Sequence, residues 1–73
     1  MSSRLPTVNA KQLIRVLHRH GFDQTRQSGS HVVFRHADGR RTTVPFHGTR
    51  DLGPGLLRQI MKDAGLTPDD LRD

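Results

Sequence analysis

The residues best suited to chemistry surround one histidine, His31, which follows Gly29 and Ser30. Imidazole has an unperturbed pKa of about 6.5, so a positioned histidine can exchange protons at cellular pH. Gly29 lets a backbone approach a phosphate closely, and Ser30 offers a hydroxyl. The tripeptide alone is more typical of an ordinary surface histidine than of a catalytic one, so its surroundings have to decide.

A second histidine, His47, lies in a predicted loop two residues after Pro45, which fixes the chain just before it. It is a candidate for a second proton-transfer group. A loop histidine that only hydrogen bonds to the backbone fits the same pattern. The sequence leaves both interpretations of His47 open.

The five histidines also raise the question of a metal site, but their spacing argues against one. His18 and His20 would point to nearly opposite sides of a helix, and His31 and His36 to opposite faces of a strand. The chain has no Cys and no Glu to complete a ligand set. We therefore expect neither a bound metal nor a cofactor.

The charge distribution favours a polyanionic partner. The net charge is +5, and residues 1–50 contain nine Lys or Arg against two Asp, whereas residues 51–73 are slightly acidic. Arginine outnumbers lysine ten to two, and the guanidinium fork suits phosphate. The composition therefore favours nucleic acid over ordinary surface charge.

The first predicted element is a helix from Asn9 to about His20. Asn9 is suited to the N-cap, Gln12 to the capping box, and Val8 with Leu13 to a hydrophobic staple. The predicted buried stripe consists of Leu13, Ile14 and Leu17. Gly21 is the expected left-handed residue after the helix.

From residue 22 the pattern changes to three short β-like runs, at residues 22–27, 30–36 and 40–45, with turns at Ser28-Gly29 and Asp38-Gly39. Side chains alternate along a strand, so Val32 and Phe34 should share one face. His31, Val33 and Arg35 should share the other.

Residues 46–52 are predicted to form a loop before a second helix whose buried side would hold Leu57, Ile60, Met61 and Ala64, ending at Gly65. A last short turn carrying Leu71 should pack back onto the domain. The predicted fold class is α+β, a single domain over residues 1–73 with the order α-β-β-β-α. This is the architecture of double-stranded-RNA-binding domains, with a three-stranded antiparallel sheet and both helices on one face.

The chain contains no signal-like apolar run near its start and no stretch of roughly 20 apolar residues that could span a membrane. A cytoplasmic location is therefore expected.

A set of motifs in fixed order resembles the HicA toxins. The set includes Gly21-Phe22, Arg26-Gln27-x-Gly29-Ser30-His31, Asp38-Gly39, Val44-Pro45-x-His47, Gly55-x-Leu57-x-x-Ile60 and Ala64-Gly65-Leu66. The resemblance extends from Asn9 to Leu66. It implies a ribosome-independent mRNA endonuclease with a catalytic histidine at His31, neutralised by a cognate HicB antitoxin. The chain departs from similar proteins at Leu56, where a threonine is common.

The residues are compatible with that chemistry. RNA supplies its own nucleophile, the 2′-hydroxyl, so its cleavage needs proton transfer and charge stabilisation but no metal. Lys11, Arg26, Gly29, Ser30 and Arg35 are the candidates for binding the RNA. An acidic antitoxin surface would complement the arginines.

Two other functions remain open from the sequence. A non-catalytic module could use the same fold to bind duplex RNA, reading mainly its shape. A small adaptor could instead dock its basic face on an acidic protein. The sequence contains no evident platform for base stacking, so it does not indicate a cleavage-site preference.

Overall fold

The computed structural model describes residues 5–72, in which two helices pack on one face of a three-stranded antiparallel sheet. The elements are α1 (Ala10–Arg19), β1 (Phe22–Ser28), β2 (His31–His36), β3 (Arg41–Pro45), α2 (Pro54–Ala64) and a 3-10 helix (Pro68–Leu71). β2 is the central strand. The predicted α+β class and the order α-β-β-β-α are confirmed.

Helix α1 begins at the predicted capping box. The Asn9 side chain accepts a hydrogen bond from the Gln12 N–H at 2.8 Å, and the Gln12 side chain accepts one from the Asn9 N–H at 2.9 Å. Two N–H groups that the first helical turn leaves without a partner are satisfied in this way. Val8 and Leu13, the predicted staple pair, are both buried.

The buried stripe of α1 differs in one position from the prediction. Leu13 and Leu17 are fully buried, but Val16 is buried where Ile14 was expected, and Ile14 is only partly covered. The broad apolar face of a helix that packs against a sheet includes position i+3 as well as i+4 from Leu13. The buried stripe predicted from the sequence therefore differs from the observed one by a small rotation around the helix axis.

The first hairpin is closed one residue later than predicted. β1 extends through Ser28, which pairs with His31, so the turn consists of Gly29 and Ser30. Gly29 has a φ of +57°, as expected for the first residue of a two-residue hairpin turn. Ser30 therefore lies in the turn, and not at the start of a strand. The third strand begins at Arg41, one residue after the prediction.

A β-bulge interrupts the pairing of β1 with β2. Gln24 pairs with Phe34, but the next pair is Arg26 with Val33, so Thr25 is an extra residue. The Thr25 hydroxyl donates a hydrogen bond to the Val33 carbonyl at 3.3 Å. If side chains alternated strictly along β1, Arg26 would face the helices. The extra residue reverses the alternation, so Arg26 and the β1 residues after it each point to the other face of the sheet.

The core lies between the helices and one face of the sheet. The buried face of the sheet consists of Phe22, Val32, Phe34, Thr42 and Val44, and Val32 and Phe34 were predicted to share it. The predicted stripe of α2 is also confirmed, since all four of its residues are buried: Leu57, Ile60, Met61 and Ala64. Leu71 of the 3-10 helix is buried too, so the last turn packs back onto the domain.

Arg40 connects three elements at the end of the sheet where β3 begins. Its Nε donates to Asp38 at 2.8 Å, its guanidinium lies 5.1 Å from the centre of the Phe22 ring, and its Nη1 donates to the Ala64 carbonyl. The last contact satisfies a carbonyl at the end of α2 that has no partner within the helix. Arg40 therefore stabilises the fold through these three contacts.

The same end of the sheet contains His36. Its Nδ1 accepts a hydrogen bond from the Asp38 N–H at 3.0 Å, and its ring packs against Phe22 with the ring centres 5.1 Å apart. A Cβ at Gly21 would lie 2.9 Å from the His36 Nε2, so glycine is required there both for this contact and for its φ of +89°.

Removal of the α1 cap should destabilise the domain measurably. We expect Asn9→Ala to lower the free energy of unfolding by about 1 kcal/mol, because the Gln12 N–H loses its acceptor. Urea unfolding followed by circular dichroism measures this difference. The matched control is Asn9→Asp, which keeps an acceptor oxygen and should lose much less. Equal midpoints for Asn9→Ala and the wild type would contradict the assigned role.

Candidate functional site

The face of the sheet opposite the helices is uncovered in the described structure. The pairing register assigns to it the following side chains: Asp23, Thr25, Arg26 and Ser28 from β1, His31, Val33 and Arg35 from β2, and Arg41, Thr43 and Pro45 from β3. We call this set the open face. Val33 and Pro45 are half-buried, and the others are exposed.

His31 is the first residue of the central strand and is positioned by backbone pairing on both sides. It pairs with Ser28 of β1 and with Pro45 of β3. Its imidazole is exposed and has no hydrogen-bond or ion-pair partner within residues 5–72. A histidine held by a rigid backbone, with both ring nitrogens uncommitted, can accept or donate a proton to a bound ligand.

Ser28 is a neighbour of His31 that the sequence analysis did not identify. Directly paired residues of antiparallel strands have Cβ atoms about 4.5–5.5 Å apart on the same face, so Ser28 is the cross-strand neighbour of His31. The predicted turn at Ser28-Gly29 removed Ser28 from the strand. The signal that would have corrected this is the preference of two-residue hairpins for glycine at the first turn position.

The turn next to His31 is accessible to a ligand. Nothing lies within 4 Å of the position that a Cβ at Gly29 would occupy. The Gly29 carbonyl accepts a hydrogen bond from the Gln27 side chain at 3.1 Å, and the Ser30 carbonyl accepts one from the Phe46 N–H at 2.6 Å. The turn is thus held by its neighbours while its outer surface stays open.

His47 is exposed in the loop after β3, two residues beyond the partner of His31. The bond from the Phe46 N–H to Ser30 brings the start of this loop beside the Gly29-Ser30 turn. His47 therefore belongs to the same end of the sheet as His31. Its carbonyl accepts a bond from the Arg50 N–H at 3.3 Å, which closes a turn in the loop.

Lys11 is exposed but lies in the helical layer. Only two residues separate α1 from β1, so α1 runs back across the sheet and its first turn lies above the end where β1 finishes. The bridge between Asn9 and Asp51, in the loop after β3, agrees with this placement. Lys11 is thus at the His31 end of the molecule, although it does not share the open face.

Arg26 and Arg35 both lie on the open face, as the candidate RNA contacts would require. Arg26 reaches this face only through the bulge at Thr25, because strict alternation from Gln24 would have turned it toward the helices. Arg41 joins them from β3 and was not identified from the sequence. The position of Arg41 relative to Arg35 depends on the strand register, which a single sequence does not fix.

The carboxylates with perturbed pKa values lie away from His31. The hydrogen bond from the Arg40 N–H, helped by the Arg40 side chain, lowers the pKa of Asp38 below its ordinary value of 3.8. A bond from the Thr67 N–H, together with one from the Thr67 hydroxyl, likewise lowers the pKa of Asp70. Both carboxylates stabilise turns, so their charge belongs to the fold and not to the candidate site.

Helix α2 begins without a side-chain cap. Gly53 is its N-cap residue, and no side chain bonds to it. Leu56, in the first turn of α2, is 41% exposed. The hydrogen bond from Arg40 places the end of α2 beside the start of β3. The start of α2, which contains Leu56, therefore lies at the opposite end of the molecule, where Phe46 is 38% exposed.

Within residues 5–72, no three His, Cys, Asp or Glu side chains are grouped so that they could hold a metal ion. His31 and His36 are at opposite ends of β2. No helix of the described structure is long and apolar enough to cross a membrane.

The comparison with protein families agrees with this arrangement of elements and residues. A family model for toxins of bacterial toxin-antitoxin systems matches residues 10–66, which span α1 to the end of α2. The chain belongs to the HicA toxin family. No curated protein matches it. The resemblance inferred from the ordered motifs is therefore confirmed at the level of the family.

The acid stability of the domain should depend on Asp38. Because its folded pKa is lowered, the ionised carboxylate stabilises the fold above the unfolded pKa, and this contribution is lost as the pH falls through the folded pKa. We expect the urea midpoint of the wild type to fall more steeply than that of Asp38→Asn as the pH drops to the ordinary value of 3.8 and below it.

The matched control is Asp23→Asn, which removes an open-face carboxylate that has no ion-pair partner within residues 5–72. That variant should follow the wild-type curve. Parallel curves for Asp38→Asn and the wild type would show that the Asp38 contacts do not stabilise the fold.

Proposed function

We propose that this HicA toxin is an endoribonuclease that cleaves mRNA in the cytoplasm without a metal ion, with His31 as its catalytic residue and residues 1–73 acting as one toxin domain. The observation that carries the proposal is the position of His31. Its imidazole is fixed on the central strand, exposed on the open face and without a partner in the described structure. A structural histidine is normally satisfied by neighbours, as His36 is by the Asp38 N–H.

The proposed reaction uses the nucleophile that RNA contains. The 2′-oxygen attacks the adjacent phosphorus, the bond from phosphorus to the 5′-oxygen breaks, and the products are a 2′,3′-cyclic phosphate and a 5′-hydroxyl. His31 either accepts the 2′-hydroxyl proton or donates one to the leaving 5′-oxygen, and such transfers contribute roughly 10²- to 10⁴-fold to rates. Water or His47 supplies the other transfer.

Binding of the scissile phosphate is assigned to the turn beside His31. The open space at Gly29 admits a phosphate, and the hydroxyls of Ser28 and Ser30 are the nearby neutral donors. Arg26 and Arg35 on the open face, and Lys11 in the helical layer, would hold the flanking backbone. The three cationic side chains are exposed, so they can reach phosphate without rearrangement of the core.

The partner that silences the toxin is proposed to be a HicB-type antitoxin that covers the open face. An acidic surface would complement the arginines, and Val33 offers a half-buried apolar contact beside His31. Phe46 and Leu56 add exposed apolar area at the same end of the molecule. Such a partner would inhibit by excluding RNA from His31.

Replacement of His31 should abolish cleavage without loss of folding. In EDTA, with an RNA of mixed structure, we expect wild-type protein to cleave and His31→Ala to be slower by roughly 10²-fold or more. The urea midpoint should change little, because the imidazole has no partner to lose. Gel analysis of labelled RNA measures the rate.

His18→Ala is the control, because His18 lies on α1, on the other side of the sheet; since its ring contacts the buried Phe34 with the ring centres 5.7 Å apart, the urea midpoint of this variant is measured as well. It should retain wild-type cleavage. His47→Ala tests the second proton-transfer group: a loss as large as that of His31→Ala would assign it, and full activity would exclude it. Equal RNA binding by wild type and His31→Ala with no cleavage by either would replace the proposal with the non-catalytic RNA-binding module.

A DNA strand of the same sequence should resist cleavage. The proposed reaction needs the 2′-oxygen, which deoxyribose lacks, so the rate should fall to background while binding through the phosphates persists. Mass spectrometry of the RNA products should find 2′,3′-cyclic phosphate ends. Cleavage of DNA, or 5′-phosphate products from RNA, would indicate attack by water and a different mechanism.

A further inference from the structure

The open face contains a second feature, separate from His31. A shallow depression of about 130 Å³ is lined by Thr25, Arg26, Val33, Arg35 and Arg41. Val33 lies two residues along β2 from His31, which corresponds to about 7 Å. Three arginines from three different strands therefore surround one small concavity next to the proposed catalytic residue.

The β-bulge is what builds this depression. Two β1 residues, Thr25 and Arg26, lie opposite the single residue Val33, and both line the depression. With regular pairing Arg26 would face the helices, and the concavity would lose one of its three cations. The hydrogen bond from Thr25 to the Val33 carbonyl fixes the bulge in place. Bulges commonly re-aim a side chain at functional sites.

The electrostatics of the depression favour an anionic ligand. None of its three guanidinium groups has an ion-pair or hydrogen-bond partner within residues 5–72. Arg35 and Arg41 are directly paired across β2 and β3, and like charges in that position destabilise a sheet. Arg40, by contrast, is neutralised by Asp38 at 2.8 Å. Asp23, the β1 partner of Arg35, offsets one of the three charges, so the depression keeps a net positive charge that an anion would relieve.

We propose that this depression is a phosphate-binding subsite for the backbone of single-stranded RNA, next to the scissile phosphate. The proposal rests on the proposed function of His31, and it adds Arg41 and Thr25 to the RNA-binding surface. Arg26 and Arg41 lie on the two outer strands, one on each side of β2, and they are offset along it because Arg26 pairs with Val33 and Arg41 pairs with Arg35. The guanidinium forks suit phosphate oxygens.

The subsite should not distinguish between bases. The open face has no Phe, Tyr or Trp, so it provides no ring of those types on which a base would stack. Val33 and Thr25 complete the lining, and the Thr25 hydroxyl, which donates its proton to the Val33 carbonyl, can still accept a hydrogen bond from a ribose hydroxyl. The subsite would therefore hold any sequence, and its role would be to fix the path of the strand past His31.

The test uses the catalytically silent His31→Ala protein, so that binding is measured apart from cleavage. Arg41→Gln in this background should weaken the binding of oligo-U and oligo-A alike. The slope of log affinity against log salt concentration should fall by about 0.7, the value for one lost single-strand phosphate contact. Its urea midpoint should stay the same or rise, because a like-charge pair has been removed.

The matched control is Arg58→Gln, because Arg58 is an exposed arginine of α2, in the layer on the other side of the sheet. It should leave the slope unchanged. An unchanged slope for Arg41→Gln, or no salt-dependent RNA binding by the His31→Ala protein, would overturn the subsite. If wild type fails to cleave RNA but Arg41→Gln still reduces the slope, the subsite stands and the catalytic role of His31 fails.

Discussion

The whole arrangement depends on the packing of two helices against a single face of the sheet. Phe34 and Val44 are fully buried beneath them, together with Leu13, Leu17 and Ile60. A domain of this size has only enough interior for one such core. Because side chains alternate along each strand, the burial of Phe34 by itself determines that His31 and Arg35 point away from the core. The candidate site therefore lies on the face of the sheet that the helices leave uncovered.

The structure separates the charges that stabilise its turns from the charges of the open face. Asp38 and Asp70 accept hydrogen bonds in turns, and Arg40 joins the second hairpin to the end of α2. These contacts lie away from the turn that contains Gly29. The open-face arginines and His31 take no part in them. A change at His31 or at an open-face arginine therefore has little to disturb in the fold, and a change at Arg40 has little to disturb at His31.

Much of this could be predicted from the sequence because the signals are local. The capping box at Asn9 and the alternation of Val32 and Phe34 each depend on residues a few positions apart. The bulge at Thr25 and the pairing of Arg35 with Arg41 depend instead on the register between strands, which no short pattern encodes. The assignment of Ser28 to a turn failed for a different reason, because the local preference for glycine at the first position of a two-residue hairpin turn was not applied. Element order was therefore predictable, whereas several neighbours within the site were not.

The three strands are joined by short connections, which affects how early in folding the open face forms. β1, β2 and β3 are neighbours in sequence as well as in the sheet, so every strand pair closes a local hairpin. Proteins rich in local contacts fold quickly. Under the proposed function, an antitoxin that covers the open face would have to bind soon after the sheet forms, because His31 is exposed once its strand is paired on both sides.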